Sequence, residues 1–277
     1  MSDGPLTLAE TRALLARLSH MPRKWLGQNF LVDGNIVRKS LELGGVKAPD
    51  TVVEVGPGLG TLTRTLLGAG ANLYAVEADR TMVYHLEQSL QTRYPETFHL
   101  LEGDAVEHPL AGLKHPTDGS FKIISNLPYA ISTPWMDAIC AGPHPSMMVL
   151  MLQKEAADRL TAEVGTGHWS AVTAQVQLAF EKVRVHPVPA QSFNPPPRVD
   201  SCLLVLKRRA DARRFSPRAR EVARMLFTQR RKQVGSSAKK LFADAPDVAA
   251  WLEGLSQFGL SGQARPETIP AEAWLSL

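Results

Sequence analysis

Only two cysteines, Cys140 and Cys202, occur in 277 residues, and both stand in apolar surroundings. They read as buried thiols of a reducing cytosol rather than as a disulfide framework. The eight histidines are scattered without metal-ligand spacing, so no structural metal is expected. Long apolar runs are missing too: the longest, Met147 to Leu152, is far too short to span a bilayer. Met1 to Glu10 has neither the basic stretch nor the apolar stretch of a signal peptide. These absences point to a cytoplasmic protein with no membrane partner, expected to be a monomer.

What is present is an ordinary globular composition, 44% hydrophobic, with an uneven charge. Lys207 to Lys240 holds 13 Lys/Arg against two acids, Asp211 and Glu221, a local net of +11 in a chain whose total is +4. The remainder therefore carries −7. A charge run is usually a solvated helical face, but an excess of this size points to a polyanion partner.

Val52, Val53 and Val55 read as a short strand buried on both faces. Gly56, Gly58 and Gly60 follow as a tight turn that backbone can bring close to a ligand. Thr61 then opens a helix whose first N–H groups face the same ligand. The spacing is G-x-G-x-G with Pro57 inside it, not the G-x-G-x-x-G of a dinucleotide site, and no P-loop lysine follows. Glu54 precedes the turn, and Glu77 ends a second strand about 20 residues on, where an acid grips a ribose diol. Carboxylates around a glycine turn suit a cationic, phosphate-free nucleoside such as S-adenosylmethionine. On these residues alone a dinucleotide site and a plain structural turn remain open.

Thr7-Leu-Ala-Glu10 is a capping-box pattern for an N-terminal helix, and residues 1–24 form a helical extension. Trp25 to Leu31 mixes aromatic, amide and glycine without periodicity, as a functional loop does. A helix is expected from about Asp33 to Leu43, and another carries Met82, Val83, Leu86 and Leu90 on one face. Further strands are predicted at Phe98 to Leu101, Phe121 to Ser125, Met147 to Leu152, Lys182 to Val188 and Asp200 to Leu206, with helices at Glu155 to Glu163 and Ala171 to Phe180. Asp104 falls at the carboxyl edge of the sheet, where ligands of open α/β sheets bind. The alternation argues for an α/β fold with a doubly wound, mostly parallel, Rossmann-like sheet over residues 1–209. Residues 210–277 carry no strand signal and read as a small all-α, basic, RNA-binding domain. Within it, Arg220, Arg224 and Arg231 fall near one helical face, with Val222, Met225 and Leu226 on the core side.

Asn126-Leu127-Pro128-Tyr129, directly after a strand, is the second informative constellation. The exocyclic amine of adenine is hard to alkylate because its lone pair is delocalised into the ring. The Asn126 side-chain oxygen and a carbonyl of Leu127 or Pro128 can accept from the amine hydrogens and turn that lone pair toward a methyl donor. Pro128 stiffens the turn, Tyr129 offers a ring for stacking, and Phe193 is placed to close the other face of the base. An ordinary strand-to-loop exit is the alternative; the glycine turn argues for the functional reading.

These segments resemble the KsgA/RsmA family, the small-subunit ribosomal RNA adenine dimethyltransferases. The resemblance runs from about Lys24 to the C-terminus. It rests on Leu26-Gly-Gln-Asn-Phe-Leu31, Glu54-Val-Gly-Pro-Gly-Leu-Gly-Thr-Leu-Thr63, Glu77, Gly103-Asp-Ala105, Asn126-Leu-Pro-Tyr129, Ile131-Ser-Thr-Pro134, Gln153-Lys-Glu155, Phe193-x-Pro-x-Pro-x-Val-Asp-Ser201 and Gln229-Arg-Arg-Lys232. It implies that Asn29, Leu31, Gly56, Glu77, Asp104 and Asn126 line an S-adenosylmethionine site, Glu77 taking the ribose hydroxyls and Asp104 the adenine amine of the cofactor. It also implies dimethylation of two adjacent adenosines in the 3′-terminal hairpin of small-subunit (16S) rRNA, within an immature small subunit. Relatives that methylate large-subunit rRNA tend to carry Asn where this chain has Asp200 and lack the Gln229 to Lys232 motif. Two departures, Ala130 for the usual Asn and Trp169-Ser170 for the usual Tyr-Gly, bear on the RNA-facing loops. An assembly factor that keeps the fold without catalysing, and a small-molecule methyltransferase, are the competing readings; the intact Asn126 motif opposes the first and the basic segment the second.

Overall fold

The computed structural model describes residues 4–23 and 27–277; Trp25 and Leu26 of the loop singled out above, and Lys24 before them, lie outside the described residues. Two units make up the chain, one of Met1–Ala157 with Lys182–Arg208, the other of Asp158–Glu181 with Arg209–Leu277.

The first unit opens with helix α1 (Leu8–Arg17). Its capping box forms as the sequence requires: Glu10 N–H donates to Thr7 Oγ1 while Thr7 N–H donates to Glu10 Oε2. Strand β1 (Phe30–Leu31) is followed by α2 (Gly34–Gly44), which Asp33 caps at one end and left-handed Gly45 at the other. Then come β2 (Thr51–Val55), α3 (Thr61–Gly68), β3 (Asn72–Glu77), α4 (Arg80–Leu86), β4 (Phe98–Glu102), β5 (Lys122–Asn126), α5 (Ser132–Ala141) and β6 (Met147–Gln153). After α6 (Lys154–Leu160) and α7 (Ala171–Ala179), strands β7 (Phe180–Val188), β8 (Phe193–Asn194) and β9 (Ser201–Arg208) complete the strand set.

Seven of these strands form one sheet in the order β4-β3-β2-β5-β6-β9-β7. β2 pairs in parallel with β3 and β5, β3 with β4, and β5 with β6, whereas β9 runs antiparallel to β6. The mostly parallel, doubly wound sheet is thus the one the sequence predicts. Chain direction across the sheet reverses between β2 and β5, and such a switch point opens a crevice at the strands' carboxyl ends. The valines of β2 and Met148 to Leu152 of β6 are buried almost completely, which is why these strands read as unbroken apolar runs. Each such side chain contributes about 1.5–3 kcal/mol relative to an exposed position.

Sequence periodicity does not reveal the small second sheet, in which β1 pairs antiparallel with β8, Leu31 opposite Phe193. Two-residue strands are too short to show an alternation. The helix expected to Glu163 ends at Leu160, and that expected to Phe180 ends at Ala179, where β7 begins. Cys140 and Cys202 are both buried, and neither is in a disulfide.

The second unit contains α7 together with α8 (Pro217–Phe227), α9 (Val234–Leu241) and α10 (Pro246–Gly254). Ser216 caps α8, accepting from Ala219 N–H at 2.9 Å, with Pro217 in the first turn. A cut at residue 209 alone therefore omits a segment of this unit, because residues 158–181 belong to it as well. The physical reason is Trp169. Its ring is buried in a cluster with Phe215, Val222, Trp251 and Trp274, and its indole N–H donates to the Ile269 carbonyl at 3.1 Å. This departure from the family pattern is a core residue, not part of an RNA-facing loop. Trp274, fully buried, stacks on Trp251 with ring centroids 4.9 Å apart. Trp274→Ala is expected to cost about 3–5 kcal/mol of stability, the range for deleting a buried indole, measured by denaturant unfolding; a loss under 1 kcal/mol would mean that the helical core does not depend on this ring.

Candidate active site

β2 delivers the chain to the crevice at Val55, and Gly56 N–H donates to the Val76 carbonyl of β3 at 2.9 Å, carrying the sheet pairing into the turn. Gly56 and Gly58 adopt φ of 67° and 57°, a left-handed region that side chains avoid. Space is tight there too: a Cβ on Gly56 would come within 3.1 Å of Pro128, and one on Gly58 within 3.2 Å of the Phe30 ring. The turn can thus lie against both the Asn126 motif and β1 only as glycine.

Glu77, at the end of β3, is 7% exposed and fixed by backbone. Gly58 N–H donates to its Oε2 and Asp79 N–H to its Oε1, both at 2.9 Å. Burial nevertheless pushes its carboxyl above the ordinary range, against these two donors. Glu54, on β2, is buried more deeply still; desolvation, with the Glu77 charge adding to it and the nearby Thr63 hydroxyl opposing it, pushes Glu54 up to about 8. Asp79, also buried, accepts from Gln28 Nε2 at 2.9 Å and pairs with Arg23 at 3.4 Å, while its other oxygen caps α4.

Asn126, the last residue of β5, is half-buried, and its Nδ2 donates to the Asn29 carbonyl at 3.2 Å. That bond assigns the amide orientation and leaves Oδ1 as the acceptor. The Tyr129 hydroxyl shares a 3.0 Å hydrogen bond with Ser201 of β9, and burial raises its phenol pKa.

These groups surround one cavity of about 290 Å³. Asn29, Leu31, Gly56, Glu77, Asp104, Asn126, Leu127, Pro128 and Tyr129 all line it. Phe193 does not. It is 3% exposed and packs in the core cluster opposite Leu31, itself a lining residue. Leu6, Thr11 and Gln28 are among the lining residues outside the sequence assignment. Thr11 reaches the cavity from α1 and Leu6 from the segment just before it, where Leu6 N–H donates to Thr61 Oγ1 at 2.7 Å. Gln28 stood in a segment already marked as functional, whereas nothing local distinguishes Leu6 or Thr11.

The donor set fits S-adenosylmethionine. A buried carboxylate held by two amides faces the cavity for a diol, and Asp104, whose Oδ1 caps Val106 N–H at 2.8 Å, stands at the next strand end. Two buried acids, Glu54 and Glu77, which face no balancing cation among the described residues, suit a positively charged ligand. Among the described residues no group of three or more His, Cys, Asp or Glu is arranged to hold a metal, and no helix is long and apolar enough to cross a membrane.

Sheet order, glycine turn and acidic strand ends define an S-adenosylmethionine-dependent methyltransferase. Comparison with known proteins narrows the class: the family described as ribosomal RNA adenine dimethylase matches residues 19–258, and the chain belongs to that family. It is 54% identical over 273 residues to ribosomal RNA small subunit methyltransferase A of Opitutus terrae, covering 99% of this chain and 98% of that protein. The protein of the same name from Zymomonas mobilis is 34% identical over 276 residues, covering 98% and 95%. Among solved structures, 23S rRNA methyltransferase ErmE aligns with a TM-score of 0.60 at 25% identity, over 90% of this chain and 97% of that one. A dimethyladenosine transferase from Plasmodium falciparum aligns with a TM-score of 0.69 at 24% identity, over 89% and 95%, a likeness of fold.

Replacing Glu77 with Ala is expected to weaken S-adenosylmethionine binding by about 2–3 kcal/mol, the loss of charge-assisted hydrogen bonds to a diol. Calorimetry that finds unchanged affinity in the folded variant would remove Glu77 from the site.

Proposed function

We propose that this protein dimethylates the N6 amines of two adjacent adenosines in the 3′-terminal hairpin of small-subunit rRNA, acting as a cytoplasmic monomer on immature small subunits. The observation that carries the chemistry is the Asn126 amide, turned by the Asn29 carbonyl so that Oδ1 is the acceptor at the cavity. S-adenosylmethionine, when bound, supplies an electrophilic methyl group on its sulfonium.

The chain's own residues do the rest. Asn126 Oδ1 accepts from one N6 hydrogen, and a backbone carbonyl accepts from the other. The Pro128 carbonyl already accepts from Ile131 N–H at 3.2 Å, which favours Leu127 for that task. Held this way, the amine presents its lone pair to the donor instead of conjugating it with the ring. Tyr129, tethered by Ser201, supports stacking of the extruded base. After transfer the methylated ammonium is acidic enough to lose its proton to water, so no strong base is needed. Rate comes chiefly from alignment within the cavity.

The basic helical unit supplies RNA affinity through phosphate contacts. Arg224, Arg231 and Lys232 are exposed in it. Arg220, one turn before Arg224 on α8, is half-buried. Arg231 lies beyond the end of α8 at Phe227, in the turn before α9, so the one helical face read from spacing is instead a face plus a turn.

Two outcomes test this function. Arg224→Glu with Arg231→Glu is expected to weaken binding to small subunits and flatten its salt dependence by roughly one unit per lost phosphate contact, leaving S-adenosylmethionine affinity intact; an unchanged slope would make this surface merely solvated. Asn126→Ala, at saturating S-adenosylmethionine, is expected to bind subunits within a few-fold of wild type yet transfer methyl groups at least about a hundred times more slowly. Wild-type turnover by that variant would refute the amine-holding role.

A further inference from the structure

Glu54 has no part in the chemistry above, yet it is the most deeply buried carboxyl lining the cavity, 2% exposed one residue before the end of β2. Its Oε2 has no hydrogen-bond partner. An ionised carboxylate in that position would be costly without a counter-charge. Among the described residues, the surrounding elements supply none. From β3, Glu77 adds negative charge; the residue opposite Glu54 on that strand is Ala75. After β4 comes Asp104, a further acid on the cavity wall. β5 brings Ser125, occupied with the backbone of Val55, and Asn126, both neutral. On α3, Thr63 is neutral, and the Arg64 guanidinium acts on Glu10 and His85 instead.

We propose that Glu54 is a proton-linked binding residue: neutral in the free protein, it releases its proton to solvent and becomes a carboxylate when cationic S-adenosylmethionine enters. The inference rests on the cofactor reading of this cavity. In the exchange one O–H bond breaks, the carboxylate keeps the electron pair, and water takes the proton. The ligand brings a sulfonium and an ammonium against a single carboxylate, so it arrives with the positive charge that the two strand acids lack. Pairing offsets the desolvation that holds Glu54 protonated beforehand. The elevated carboxyl, about 8 through burial, agrees with a group that is neutral at pH 7 in the free protein. Cofactor affinity is thereby tied to pH, and the protein avoids carrying an unpaired buried charge when no ligand is present.

Titration calorimetry of S-adenosylmethionine binding, run at pH 7 in two buffers of different ionisation enthalpy, counts the protons released. A group titrating one unit above the working pH is about nine-tenths protonated, so release near that fraction of a proton per ligand is expected. Affinity should rise with pH by up to tenfold per unit from pH 6 and flatten above about 8, where Glu54 is already ionised. Glu54→Gln keeps the shape and neutrality of the protonated acid, so it is expected to melt with wild type at pH 6. It should bind with no release from this site and lose the pH dependence. Wild-type binding without proton release, or with affinity flat across this range, overturns the proposal. Equal release by Glu54→Gln also overturns it and assigns the proton to Glu77. If wild type fails to bind S-adenosylmethionine at all, the cofactor reading falls, and this inference with it.

Discussion

Everything at the crevice depends on the Glu77 carboxylate being held by backbone. One donor, Gly58 N–H, belongs to the turn after β2; the other, Asp79 N–H, belongs to the segment that starts α4. A single side chain thereby locks two strand ends and the start of a helix into one register. The turn can approach only because Gly56 and Gly58 carry no Cβ, and Phe30 and Pro128 then fill the space beside them. The arrangement costs something: two acids sit in low dielectric with their ionised forms disfavoured. Stable folds do not need such a feature, which makes its presence at the switch point an argument for binding.

A second set of bonds ties the N-terminal segment to the same place. Gln28 reaches Asp79, Asn126 reaches the Asn29 carbonyl, and Leu6 reaches Thr61 at the first turn of α3. In the proposed function these contacts give one wall of the cavity to the cofactor and set the Asn126 amide for the substrate. The two tasks meet on residues 27–31, which explains why that short segment has no periodicity of its own: the Gln28 side chain and the Asn29 carbonyl answer to groups 51 and 97 residues away.

The sheet was legible because buried parallel strands announce themselves as apolar runs punctuated by glycine and acid, as Val52 to Gly60 and Met147 to Leu152 do. The strand-end residues of the cavity were legible for the same reason, since a strand's carboxyl end fixes where its next residue points. Where Phe193 packs was not legible, because an aromatic just before a proline-rich stretch says nothing about which way its ring turns, and its partner Leu31 lies far away in sequence. Residues 158–181 were placed with the wrong unit for a similar reason: the acceptor of the Trp169 indole is 100 residues downstream. Leu6 and Thr11 carry no motif, and the helix cap beside them is only a cap by sequence.

The central claim is that this cavity methylates adenine within small-subunit rRNA. Its most direct test is to incubate the protein with methyl-labelled S-adenosylmethionine and small subunits lacking the modification, then map the labelled nucleotides. Label confined to two adjacent adenosines of the 3′-terminal hairpin, two methyl groups on each N6, is the predicted result. Tight binding to the subunits with no label on any nucleotide would contradict the account and make the protein an assembly factor; label on other nucleotides would contradict the assigned substrate.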